Sequence, residues 1–480
     1  MVLFLKKDCV SYACIVPSPR QKLTEGAVAP LLLRMTIPIA WGILALLGYR
    51  LAEAWFVGQL GAAALAAVSF AFPITMVVLS ISIGLGAGTS SVIARAIGAG
   101  EAVVPRLVAD SLILTMLVGV VCAVGGMAGA DWLARLLGAG PDLAPSIALY
   151  LRVWFPSAVL VLVSQVGLSA ARAAGDATFQ GTALVASSVL NLALAPVVIL
   201  GVGGWHGLGL SGAPVSSLLA WIPLLAATIW RLVQLQLLSF DQLGMAEFVA
   251  SSRRILRVGL PAAATNTVIP VASGIITALL APYGHEVVAG FGLGSRVESL
   301  AMVLFFALSA VMNPFAGQCA GAGRIGRVRE AMRVVLWFCL GFGAFLGVGL
   351  YVGRYWIATR FTHDGAVIEA AAMYLAVVPL SYGPAGIIAI ANAAFNGLNR
   401  PLSAVAVSVA RTLVVNVPVA WAGGRLYGAF GVFLGIAVSN VVVGVVSFVW
   451  VYLVTGRGEA VLPETLRDAV RKESETVVKV

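Results

Sequence analysis

Ile97-Gly98-Ala99-Gly100 recurs 223 positions later as Ala320-Gly321-Ala322-Gly323. Other landmarks keep nearly the same spacing. Pro38 in TIPIA answers to Pro261 in GLPAA, Leu60-Gly61 to Tyr283-Gly284, Tyr150-Leu151 to Tyr374-Leu375, and Pro196 to Pro418. The offsets run only from 222 to 224. Gly, Ala, Leu and Pro are common in this chain, so one match carries no weight. Five in register imply two homologous halves. In a very apolar chain, such duplication is typical of secondary-transporter folds, whose binding site lies between the repeats.

The chain is 60% hydrophobic and 10% charged, with a mean hydropathy of +1.01. A soluble domain carries roughly 25% charge. A membrane span needs about 20 largely apolar residues. Twelve such stretches occur, at 31–57, 63–94, 105–129, 145–170, 180–201, 209–233, 258–281, 286–316, 331–355, 367–395, 402–424 and 428–454. None alternates with the period of a barrel strand, so all are expected to be helices. The sequence thus predicts an all-α polytopic membrane protein of twelve transmembrane helices in two six-helix lobes. An even number of spans per lobe makes the repeats parallel rather than inverted. The expected layout is a tail at 1–30, an N-lobe at 31–235, a linker at 236–257, a C-lobe at 258–455 and a second tail at 456–480.

Lys and Arg set the orientation. They gather in the tails, the link between spans 2 and 3 (Arg95, Arg106), the central linker (Arg253, Arg254, Arg257) and the link between spans 8 and 9 (Arg324, Arg327, Arg329, Arg333). The opposite loops carry only Arg135, Arg354, Arg360 and Arg425, together with His206, His285 and His363. Both termini are therefore expected in the cytoplasm, with the chain in the inner (plasma) membrane. The net charge of +10 is scattered over short loops, which argues against nucleic acid as a partner. The bilayer and a small molecule are the expected partners, and the chain is expected to be a monomer. The segment FVASSRRILRV at 248–258 fits an interfacial amphipathic helix. The first 30 residues do not read as a cleaved signal peptide. Cys9 and Cys14 lack the further His or Cys that a zinc site needs, so no metal is expected.

Charges inside spans are rare and functional by default. Those here are Arg50 and Glu53 in span 1, Arg152 in span 4, Arg296 and Glu298 in span 8, and Arg411 in span 11. Glu53 is three residues after Arg50, on roughly the same helix face. Apolar surroundings and a nearby cation act oppositely on a carboxyl group's proton affinity. A group balanced between them can load and release a proton or a sodium ion; the alternative is a fixed ion pair. Arg296 and Glu298 point to different faces, leaving Glu298 to meet Arg411 or Arg152 across the bundle. No HExxH, GxSxG or GxxxxGK[ST] motif occurs, so no enzyme is expected and no cofactor beyond the coupling ion.

The stretch LAEAWFVGQLGAAALAAVSFAFPI at 51–74 resembles the first signature of the multidrug and toxic compound extrusion (MATE) family. GTSSVIARAIGAGE, VLNLALAPVVILG, GLGSRVESL and NPFAGQCAGAGRIGRV resemble further blocks of that family. The resemblance implies two six-helix lobes around a central cavity and proton- or sodium-driven export of organic cations and amphipathic drugs. It places Glu53 at the family's first-span carboxylate and Asn191 at a polar position of its fifth span. Ala195 stands where the proton-coupled branch usually has Asp. Trp55 and Phe70, with Phe56 and Phe72, are candidates to line an apolar cavity. A lipid-linked oligosaccharide flippase shares this fold and would use a cationic groove of Arg50, Arg152, Arg296 and Arg411. A membrane scaffold or receptor is a rival from another class, but no sizeable soluble domain is present to read out a signal.

Overall fold

The computed structural model describes residues 23–239 and 244–458. No strand occurs among them. In hydrocarbon, a backbone without water must satisfy its own polar groups, and the helix does so within one segment. The first half contains α1 (Val28–Gly58), α2 (Ala62–Gly98), α3 (Val104–Ala128), the short α4 (Ala130–Leu136), α5 (Ala144–Ala173), α6 (Ala177–Leu200) and α7 (Gly212–Gln234). The second contains α8 (Met245–Leu280), α9 (His285–Ala301), α10 (Val303–Gly321), α11 (Ile325–Phe361), α12 (Gly365–Val377), α13 (Tyr382–Gly397), α14 (Pro401–Val409) and α15 (Val417–Gly458). Most of both expected tails, with Cys9 and Cys14, lies outside the described residues.

Eleven described segments are long and apolar enough to span a membrane. The last, Pro401–Gly456, has 56 residues, room for two crossings. Its helix breaks at Tyr427 and Gly428, where Gly428 takes a φ of 62°. This yields the twelve crossings expected.

Three spans are less regular than their apolar runs suggest. Span 8 is divided at Met302 into α9 and α10. Span 10 is interrupted by a 3₁₀ turn, Val378–Ser381, which contains Pro379. Span 11 contains a π-helix, Ala410–Asn416, just before Pro418. There the N–H of Val417 reaches back to the carbonyl of Thr412. Such widened turns are one way a helix absorbs a proline that offers no N–H. The linker also differs from expectation. α8 begins at Met245, so the segment read as a separate interfacial helix is continuous with span 7. The helix continues through Pro261, and the buried Ser251, Ser252 and Ile255 hold this stretch against the bundle.

The repeat is visible in the backbone. Gly61 (φ 108°) is matched by Gly284 (φ 113°), and Gly100 (φ 71°) by Gly323 (φ 70°). Only glycine adopts this conformation without strain. The helix ends before the second pair close alike: Glu101 N–H donates to the Ala96 carbonyl, and Arg324 N–H to the Cys319 carbonyl.

The halves are clasped at their Arg-rich end. Small residues let the backbones touch there. A Cβ on Gly98 would meet the Gln318 carbonyl oxygen at 2.1 Å, and one on Gly321 would meet that of Arg95 at 2.1 Å. Gly84 and Gly88 of α2 press likewise on α8 at Gly259 and Ile255. Ser91 Oγ donates to the Asn396 carbonyl (2.6 Å), and Asn313 Nδ2 to that of Ala87 (3.1 Å). Gln318 is bound at both ends. It accepts from the Leu23 N–H (2.9 Å) and donates to the Ala173 carbonyl (2.8 Å). Arg324 and Arg327 donate to the carbonyls of Thr24 and Gly26. Leu23, Val28 and Leu32 are buried in the same core as Phe305, Phe315 and Phe395 of the second half. Toward the other end, α2 leaves Leu65, Phe72 and Val77 exposed, and α8 leaves Val271 exposed.

Candidate functional site

Glu53 lies five residues before the end of α1, about 8 Å along the helix axis. Its position follows from packing lower down. Gly42 of α1 sits against Gly181 and Leu184 of α6, and Gly181 sits against the Pro38 carbonyl. With the side chains of two small residues absent, α1 and α6 run close together. Ten residues above Gly181, Asn191 therefore arrives near the level of Glu53, eleven residues above Gly42.

A small cavity opens at this level. It is lined by Arg50 and Glu53 of α1, Trp154 and Ser157 of α5, and Ser217 and Trp221 of α7, with Val78, Leu79, Ala158, Val161 and Leu162 as its apolar wall. The Glu53 side chain is 12% exposed and that of Arg50 44%, and Arg50 Nη1 lies 3.5 Å from Glu53 Oε2. Ser217 is the hub of the neutral groups. Its hydroxyl is 2.9 Å from the Tyr49 hydroxyl and accepts a long 3.5 Å bond from Asn191 Nδ2. Asn191 is buried, and its Oδ1 has no partner. Tyr49, Arg50 and Tyr150 are within electrostatic reach of Glu53. Ala195 is fully buried among apolar residues, including Tyr150 and Val57. Glu53 is thus the carboxylate of this cavity, with an arginine and a ring of hydroxyl and amide groups around it.

A second constellation lies in the other half. The Tyr374 hydroxyl donates to the Glu298 carboxylate. Gly294 makes room for the Tyr374 ring, where any Cβ would collide with it. Phe291 and Phe433 meet that ring edge-on. Arg411, on the π-helix, donates from Nε to Asn440 Oδ1 (3.1 Å), and Asn440 donates to Ser381 Oγ (2.9 Å). Arg411 acts on Glu298 through space, but no ion pair within 4.0 Å joins them among the described residues.

Arg50 and Glu53, paired in the sequence reading, both line this cavity, and Asn191, which the family resemblance put beside Glu53 in function, reaches it through Ser217. It also sets Glu298 and Arg411 in one region. It does not bring Arg152 to Glu298. Arg152 Nη2 instead binds Asp131 Oδ2 at 2.6 Å, with both side chains half exposed. α4 carries Asp131 to the end of α5, where that arginine finds it. Trp55 does not line the cavity. It is 64% exposed and belongs to an outward stripe with Trp41 and Leu51. Phe70 and Phe56 pack on the apolar core of the first half instead, while Phe72 is exposed. Nor do the four arginines make one groove, since Arg50, Arg152 and Arg411 each have a partner in a different place. Several participants carry no charge and escaped notice: Tyr49, Ser217, Tyr374 and Asn440. The repeat of Tyr150 and Tyr374 was the available signal, because each member faces a glutamate. Asp110, near the start of α3, is a further intramembrane charge. It is fully buried, 3.8 Å from Arg106, which lies 3.6 Å from Glu247 of α8.

The MatE family model matches the chain twice, at residues 38–197 and 261–422. The starts of the two matches have the spacing of the repeat. A FAD transporter of Shewanella oneidensis is 32% identical over 434 residues, covering 89% of this chain and 95% of that protein. The crystal structure of the Vibrio cholerae MATE transporter VcmN in the bent form is 30% identical with a TM-score of 0.85, covering 90% of this chain and 97% of that one. The outward-facing conformation of a multidrug resistance MATE family transporter is 25% identical with a TM-score of 0.86, covering 92% and 99%.

Proposed function

This chain belongs to the MatE family, and from that membership we propose that it is an ion-coupled antiporter exporting amphipathic organic molecules by alternating access. The observation that carries this reading is Glu53, 12% exposed in a cavity beside Arg50. When ionised, the carboxylate is held by the guanidinium. When neutral, it releases Arg50 to the surrounding hydroxyls. Loading and unloading one cation therefore changes which groups bind one another inside the first lobe. That is the kind of switch that can bias a two-state transporter.

The coupling ion in this reading is the proton. A sodium ion at Glu53 would sit a few ångströms from Arg50, and two cations that close repel strongly in a low-dielectric site. A proton neutralises the carboxyl group without adding such a centre. With the Arg-rich loops in the cytoplasm, the clasped end closes the inner side, and in this reading a cleft between the lobes opens outward, as the outward-facing MATE relative suggests. The cargo classes are organic cations and amphipathic drugs, as in the family, and FAD, as in the Shewanella oneidensis relative.

Flux in proteoliposomes under separate proton and sodium gradients tests the proposal. A proton gradient should drive substrate movement in the wild type, and Glu53→Gln should abolish it. Transport that follows sodium at fixed pH overturns the ion assignment. Gradient-driven export by the Arg50→Met, Glu53→Gln double variant overturns the role of Glu53. For sidedness, a cysteine at position 206 should react with an external label, while one at position 326 should not.

A further inference from the structure

Arg296 is the intramembrane charge left without a partner. It is exposed, and among the described residues it makes no ion pair or hydrogen bond. Its helix shows two unlike faces. Phe291, Leu293 and Gly294 are buried, and Glu298 turns the same way toward Tyr374. The open face carries His285, Ala289, Gly292, Arg296 and Ser299, at the three- and four-residue spacing of one helix stripe. Leu300, four residues beyond Arg296, is the one large apolar side chain exposed on this helix. The open stripes of α1 and α11 are different, with Trp41, Leu51 and Trp55 on one and Trp337, Phe345 and Val352 on the other. Those are faces for lipid. An unpaired guanidinium facing hydrocarbon is strongly disfavoured, and such residues turn to water-filled interiors.

Depth supports the same placement. Arg296 lies eleven residues into α9 from His285, about 16 Å along the axis. That is near the middle of a hydrocarbon core about 30 Å thick, the level at which repeat transporters bind cargo. Charge accounting agrees. Arg50 is matched by Glu53 and Arg411 by Glu298, so Arg296 leaves the interior one positive charge in excess. A planar guanidinium with its donors free is suited to a phosphate or carboxylate.

We infer that Arg296 is a substrate-selecting residue in the cleft between the lobes, and that the preferred cargo is an amphipathic molecule bearing an anionic phosphate or carboxylate group. This rests on the antiporter reading above and narrows its substrate class.

Transport of three probes by the full chain in proteoliposomes tests the inference. FAD carries a pyrophosphate, riboflavin has the same ring system without phosphate, and ethidium is an aromatic cation. The wild type should carry FAD in preference to riboflavin. Arg296→Gln should raise the KM for FAD by roughly tenfold to a hundredfold, the loss of one charged hydrogen-bonding partner. It should leave ethidium and riboflavin unchanged or improved. Arg296→Lys should keep most of the FAD transport, which a misfolded or purely structural variant would not. An unchanged KM for FAD in Arg296→Gln overturns the inference. Wild-type transport of ethidium without FAD also overturns it, while sparing the antiporter reading. Failure of all three probes under either gradient overturns both.

Discussion

The two lobes solve the same problem with different helices. Each holds a glutamate near a tyrosine of the repeated pair, Tyr150 in one and Tyr374 in the other. In the first lobe the glutamate comes from α1, and its nearest charge is the arginine one turn away at 3.5 Å. In the second it comes from α9, is hydrogen-bonded by tyrosine, and has Arg411 only at a distance. The backbone repeat is preserved and the chemistry is not. A duplicated fold therefore gives two protected interiors, and each acquires its own ionisable group. The arrangement around Glu53 has an exchangeable partner and open space. That around Glu298 is packed between rings and already satisfied.

The difference predicts unequal mutants. Glu53→Gln should reduce gradient-driven export to the background of empty liposomes, whereas Glu298→Gln should keep export within about threefold and chiefly lower stability, by the 1–3 kcal/mol typical of a lost charged hydrogen bond. Equal loss of coupling in both would erase the distinction. Next in size is the tyrosine pair. Tyr374→Phe removes the donor to Glu298 and should cost about 1–3 kcal/mol, seen as a lower Tm in detergent. Among the described residues nothing hydrogen-bonds the Tyr150 hydroxyl, so the Tm of Tyr150→Phe should move less. A larger drop for Tyr150 would reverse the comparison. A third test separates charge from stability in the first lobe. Glu53→Gln leaves Arg50 without its carboxylate, so adding Arg50→Met should recover thermal stability without recovering export. The smallest effect belongs to Arg152→Ala, since its pair with Asp131 is half exposed. Such pairs contribute about 0–1 kcal/mol, and transport should be unaffected.

The spans and the duplication were legible because both are written in composition and spacing. Apolar runs of membrane length, Gly61 with Gly284 and Gly100 with Gly323 need no tertiary information. Charge in an apolar run likewise exposed Glu53 and Arg50. The breaks at Met302, Val378–Ser381 and Ala410–Asn416 were not legible. Pro379 and Pro418 announce a disturbance but not its form, a 3₁₀ turn in one span and a π-helix in the other, and no glycine or proline marks Met302. Arg152 was misplaced for a related reason. Its partner Asp131 sits on a seven-residue helix, too short to stand out from a loop. Ser217, Tyr374 and Asn440 are common polar residues whose meaning comes only from what packing sets beside them.

Gln318 bears on leak. One amide ties the strap before α1 and the last turn of α5 to α10, while the glycines beside it permit no gap. Neither bond can be released alone without stranding a buried polar group, so the seal parts as a unit. In an alternating-access cycle, a barrier that opens all at once has no half-open form through which ions slip unaccompanied. In the antiporter reading, leak-tightness resides in a neutral side chain at the opposite end of the bundle from Glu53.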